Sequence, residues 1–108
     1  MIETALRGRT VVVPAHFDVE VYAALRRLDR RGELAPGQLD GIVPVLRRFR
    51  AERIPLSRLL APAHALGRRF SPPDALYAAL ALRLGGELLT RDGPLAQACA
   101  GLVDVRLI

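Results

Sequence analysis

Residues 71–92 read SPPDALYAALALRLGGELLTRD, and the order of signals in them decides the fold. Ser71 stands before two prolines, an arrangement that opens a helix. The hydroxyl can accept from a free backbone N–H, and proline at the first helical position lacks only a donor that has no partner there. The run that follows, ALYAALAL (75–82), carries no charge. A helix apolar on every face is expected to be buried on every face. Gly85 and Gly86 stop it. ELLT (87–90) then reads as a short strand, and a carboxylate, Asp92, stands just past its end.

Working outward, the rest of the chain repeats this alternation. TVVV (10–13) reads as a buried strand ended by Pro14. Residues 16–31 form a helix with an apolar stripe of Phe17, Val21, Ala24, Leu25 and Leu28 at helical spacing, stopped by Gly32. Residues 36–50 are a second helix, weakened or kinked at Pro44. RIPL (53–56) is a short strand candidate, and 57–70 is helical but interrupted by Pro62. Past Asp92, a short helix over 93–100 leads to a last strand at 103–108, and residues 2–8 read as the end of a helix. Strands separated by helices, without hairpin turns, predict an α/β fold with a parallel sheet flanked by helices.

That topology gives three acids a common address. Crossover helices run antiparallel to their strands, so a residue just after a strand, or at the head of the helix before the next one, lies at the C-terminal edge of the sheet. Open α/β sheets bind ligands at that edge. Asp92 follows strand 87–90, Asp74 heads the helix leading into it, and Glu20 lies in the first turns after strand 10–13. Each also has a structural explanation. Asp92 can cap the helix beginning at Gly93, Ser71 and Asp74 fit a capping box, and Glu20 can be solvated or pair with Arg27. Taken together, carboxylates crowded at a partly buried edge repel one another, and a divalent cation relieves that cost. Mg²⁺ and Mn²⁺ prefer oxygen ligands, and such a centre can activate water against a phosphodiester.

The bulk properties set limits. The 108 residues fit a single domain, 1–108. No apolar run approaches the roughly 20 residues of a membrane helix, and the first residues lack the apolar core of a secretory leader. Cys99 is the one cysteine, so no internal disulfide forms and a reducing cytoplasm fits best. The formal charge is +5 and every basic side chain is arginine, which suits RNA phosphate or an acidic protein alike. His16 and His64 have no spaced partners for a zinc site, and surface or helix-end roles are expected of them. Tyr77 falls in an apolar run and is expected in the core. Asp18 reads as an acid favoured by the N-terminal end of its helix.

PAHFDVEVYAALRRLDRRGEL (14–34), SPPDALYAALALRLGGELLTRDGPLAQA (71–98) and the closing strand resemble PIN-domain proteins of the VapC type, the toxins of bacterial toxin–antitoxin pairs. The resemblance runs from about Thr10 to the C-terminus. It implies an Mg²⁺- or Mn²⁺-dependent endoribonuclease with Glu20, Asp74 and Asp92 as its metal-binding catalytic acids and Thr90 as a supporting hydroxyl. It further implies an antitoxin partner, an RNA substrate and a homodimer. Members of this family open with a central strand ending in Asp-x-Ser, whereas this chain starts within the following helical segment. The resemblance therefore implies a domain lacking its first strand and first acid. The alternative is a catalytically inactive remnant that binds antitoxin or a second toxin chain.

Overall fold

The computed structural model describes residues 11–85, 97 and 99, together with the backbone of strands 87–90 and 104–107. The elements are β1 (Val12–Pro14), α1 (Phe17–Arg30), α2 (Gln38–Arg47), β2 (Glu52–Ile54), α3 (Leu60–Ala65), α4 (Pro72–Leu84), β3 (Glu87–Thr90) and β4 (Asp104–Leu107). Short 3-10 turns at Leu56–Arg58 and Gly67–Arg69 flank α3. Gln97 and Cys99 are helical. The expected helical end at 2–8, and with it any earlier strand, lies outside the described residues.

All strand pairing is parallel, as the alternation of elements predicts. Val12, Val13 and Pro14 of β1 stand opposite Glu52, Arg53 and Ile54 of β2. Backbone bonds from Glu52 N–H to the Val11 carbonyl and from Ala15 N–H to the Ile54 carbonyl, both 2.9 Å, extend the pair at each end. Residues 87–90 of β3 stand opposite 104–107 of β4. Among the described strands these are two separate two-stranded ribbons. Helix α4 touches both β1 and β3, and α3 packs against α4.

Helix α4 forms where its local signals place it. Ser71 Oγ accepts from the Asp74 N–H at 3.4 Å, prolines fill the first two helical positions, and Gly85 closes the end with a left-handed φ of 63°. Its burial is not uniform. Ala75, Ala78, Ala79, Leu80 and Ala81 are buried, while Leu82 and Leu84 in the last turn are exposed. The core gathers Ala63, Phe70, Ala75, Ala78, Ala79, Ala81 and Cys99, with Leu66, Leu76 and Tyr77 packed against it. Alanines dominate because a small side chain lets a helix backbone come close to its neighbours. Burial also holds the Cys99 thiol above its ordinary range, opposed in part by the positive field of Arg69. An inert packing residue is the outcome expected of it.

The other helices depart from expectation in detail. Helix α2 is continuous through Pro44 and begins only at Gln38, after Gly37 with φ 79°. Pro62 does not interrupt α3. It sits in the first helical turn, where no intrahelical N–H bond is required, and the helix breaks instead at Leu66–Gly67, with Gly67 at φ 79°. Helices α1 and α2 pack together but contain no fully buried residue. Val19 and Val45 are each 61% exposed, and Tyr22 and Val43 are also exposed.

Asp18 is not simply a helix-end charge. Arg53 of β2 donates through Nε to Oδ2 at 2.6 Å and through Nη2 to Oδ1 at 2.9 Å, a two-pronged fork that ties α1 to β2. Arg53 also donates to the Ala51 carbonyl at 3.0 Å. The fork lowers the Asp18 pKa from its ordinary 3.8, with partial burial opposing it.

Two outcomes test this packing. Ala78→Leu should overfill the contact under α4 and cost about 1–3 kcal/mol in urea denaturation. Leu82→Gln, on the exposed last turn, should stay within about 0.5 kcal/mol of the parent. Because Asp18 is more acidic in the folded chain than in the unfolded one, its contribution is present above pH 3.8 and lost as the pH falls below that value. Asp18→Asn should therefore lower the melting temperature slightly at pH 7, and the gap to the parent should close as the pH falls toward 3.

Candidate active site

Two of the three expected acids lie on described elements that meet. Glu20 is in the first turn of α1 and Asp74 in the first turn of α4. The link between them is Tyr77, one turn further along α4. Burial pushes its pKa well above the ordinary tyrosine range, and interaction with Glu20 and the negative charge of Glu20, Asp74 and Asp18 raise it further. Glu20 and Asp74 thus both act on one phenol. The capping bond at the head of α4 uses the backbone N–H of Asp74, so it accounts for Ser71 and leaves the Asp74 carboxylate unexplained.

The second side chain at this junction is His16, which the sequence did not single out. It stands immediately before α1 without capping it, and its side chain is 11% exposed. Nε2 lies 3.4 Å from Glu20 Oε1 and 3.2 Å from the Pro73 carbonyl oxygen, which precedes Asp74. The ring rests against Tyr77 with centroids 4.7 Å apart. Nδ1 is buried and has no hydrogen-bond partner among the described residues. Leaving such an atom unpaired costs about 1–3 kcal/mol, so packing alone is a poor reason for a histidine here. Of the surface or helix-end role expected from the sequence, the helix end is what the structure shows, at the start of α1, although the ring is too covered for a surface role. His64, in contrast, is exposed on α3. Tyr77 belongs to the core as expected, but the acids also act on its hydroxyl. The signal that could have found both residues is their distance from the helix heads: His16 is four residues before Glu20, and Tyr77 is three after Asp74.

Thr90 is the last residue of β3, in register with Leu107, and Asp92 lies outside the described residues. Among the described residues, no group of three or more His, Cys, Asp or Glu side chains forms a ready metal cage. What is present fits a cation of the Mg²⁺ type nonetheless. Glu20 and Asp74 are hard oxygen donors beside one phenol, Glu20 is 40% exposed, and Mg²⁺ is commonly held by only one or two carboxylates while keeping several waters.

The sequence has relatives among known proteins. The PIN domain family matches residues 2–100. The chain therefore belongs to the PIN domain family. Among its relatives, ribonuclease VapC3 of Mycobacterium tuberculosis is 44% identical over 97 residues, covering 90% of this chain and 71% of the relative. Ribonuclease VapC12 of Mycobacterium tuberculosis is 37% identical over 105 residues, covering 95% and 80%. No solved structure gives a significant match. The chain is thus a PIN-domain protein similar to VapC ribonucleases.

Tyr77 offers a direct test of the junction. Its raised pKa means that the folded chain keeps a proton which the unfolded chain gives up above about pH 10. That contribution is intact below pH 10 and is lost as the pH climbs through the alkaline range. Tyr77→Phe should remove this component. The urea midpoint should fall less between pH 9 and pH 11 in the variant than in the parent, as followed by circular dichroism.

Proposed function

We propose that this chain is the ribonuclease of a toxin–antitoxin pair, cleaving RNA phosphodiesters with a divalent cation held by Glu20, Asp74 and Asp92. The observation that carries it is the junction at which His16 lies 3.4 Å from Glu20 and 3.2 Å from the Pro73 carbonyl, one residue before Asp74, in a chain of the PIN family that is similar to two VapC ribonucleases. Mg²⁺ or Mn²⁺ bound there would supply Lewis-acid chemistry and neutralise charge developing on phosphate. Glu20 and Asp74 would hold the cation, with Asp92 as a third oxygen ligand and Thr90 as a supporting hydroxyl. Tyr77 keeps its proton and so adds no further negative charge beside the acids. The exposed arginines leave the molecule positive, which favours approach of a polyanion.

The partner side of the proposal rests on α1 and α2. Val19, Tyr22, Val43 and Val45 are exposed, and Arg26, Arg27, Arg30, Arg47 and Arg48 are exposed around them. An amphipathic antitoxin segment would lay apolar anchors on the valines and Tyr22, with its acids meeting the arginines. The same surface supports a second reading, a binding module without catalysis. A cytoplasmic setting accords with the lone buried Cys99 and with the lack, among the described residues, of a helix long and apolar enough to cross a membrane.

Cleavage of labelled RNA by the purified chain with Mg²⁺, with Mn²⁺ and with chelator separates the two readings. The enzyme reading expects cleavage only with metal. Asp74→Asn and Glu20→Gln should each abolish it and weaken Mn²⁺ binding by more than the roughly 10–100-fold lost when a ligand's outer hydrogen-bond partner is removed. Cleavage that survives chelator would rule out the metal-dependent mechanism. Capture of an acidic antitoxin segment by a chain that neither binds Mn²⁺ nor cuts RNA would leave the binding module.

A further inference from the structure

His16 has no part in the mechanism just described, yet it touches both halves of the site. One nitrogen, Nε2, faces two groups that only accept hydrogen bonds, the Glu20 carboxylate at 3.4 Å and the Pro73 carbonyl at 3.2 Å. The ring proton is therefore assigned to Nε2 and shared between them, leaving Nδ1 as a bare lone pair in the interior. Fifty-seven residues separate His16 from Pro73, so this contact is a tertiary tie between the start of α1 and the start of α4. Pro72 and Pro73 stiffen the head of α4 because their φ angles are fixed. A hydrogen bond to the Pro73 carbonyl thus grips a rigid segment, one residue from Asp74. Tyr77 packs at an angle against the His16 ring, with centroids 4.7 Å apart.

We propose that His16 is a positioning residue, clamping Glu20 to the first turn of α4 and so setting the separation of the Glu20 and Asp74 carboxylates. The proposal rests on the metal-dependent reading above. Histidine suits the task because one flat ring can reach two acceptors on different helices while its face packs against Tyr77. By engaging Oε1 of Glu20, the ring would leave Oε2 to hold a cation bound there. Hydrogen-bond partners that orient a ligand in this way are typically worth about 10–100-fold in metal affinity.

The test is Mn²⁺ binding by calorimetry at fixed pH, with thermal melting alongside. His16→Phe keeps a ring against Tyr77 and removes the donor. It should bind Mn²⁺ about tenfold or more weakly, without a lowered melting temperature. His16→Gln carries an amide that can donate to both acceptors, and it should recover most of the lost affinity. Parent-like affinity in His16→Phe, or no recovery in His16→Gln, overturns the proposal. Glu20→Gln and Asp74→Asn run beside these. If they too bind Mn²⁺ like the parent, the metal site itself is wrong; if they are weakened and His16→Phe is not, only the role of His16 falls. A measurement on the unmutated chain covers the case in which His16→Phe does not fold. With two histidines in the sequence, ¹⁵N-histidine spectra resolve both rings. Adding Mg²⁺ at constant pH should move the His16 Nε2 resonance and leave exposed His64 in place. A stationary His16 signal overturns the proposal.

Discussion

The close approach of helix α4 to its surroundings is the constraint on which the rest depends. Four of its five buried residues are alanines, and a methyl group is as little side chain as a buried helix can carry without glycine's conformational cost. That small radius lets α4 touch β1 and β3 together, two ribbons with no shared hydrogen bond among the described strands. It also puts the head of the helix against the start of α1. If α4 stood further out, the Pro73 carbonyl would leave His16.

The electrostatics follow from that placement. Asp18, Glu20 and Asp74 all act on Tyr77, but they are handled differently. Asp18 is matched by the two-pronged grip of Arg53 on β2, an arrangement that holds α1 on the first ribbon. Glu20 lies beside the His16 imidazole, 3.4 Å from Nε2. Asp74 has its backbone engaged by Ser71 while its carboxylate adds to the field at Tyr77. One acid therefore serves the fold.

Helices α1 and α2 show the opposite economy. They pack on each other and bury nothing completely. The hydrophobic effect scales with apolar area removed from water, so half-covered side chains stabilise the isolated chain less than a closed core does. The cost of that exposure is consistent with a surface kept for another molecule, and the ring of arginines around it sets the sign of charge such a molecule would carry.

Most of the element order was legible in the sequence because its signals are short-range. Ser71 with two prolines, the uncharged run after Asp74, Gly85 and the short run ELLT place α4 and β3 within a residue or two of where they stand. Alternation of strands and helices gave parallel pairing. Local rules were weaker at Pro62, which was expected to interrupt its helix but fell in a first turn where its missing donor costs nothing. The sequence by itself also put Glu20 and Asp74 at the heads of their helices. What only the tertiary structure decided is which groups meet there. Asp18 finds Arg53 across 35 residues and His16 finds Pro73 across 57. Periodicity and capping signals act over a helical turn or two and carry no information about contacts at that separation. The second contact is set by how closely α4 can pack, a distance its small alanines allow, and the first by the placing of α1 over β2.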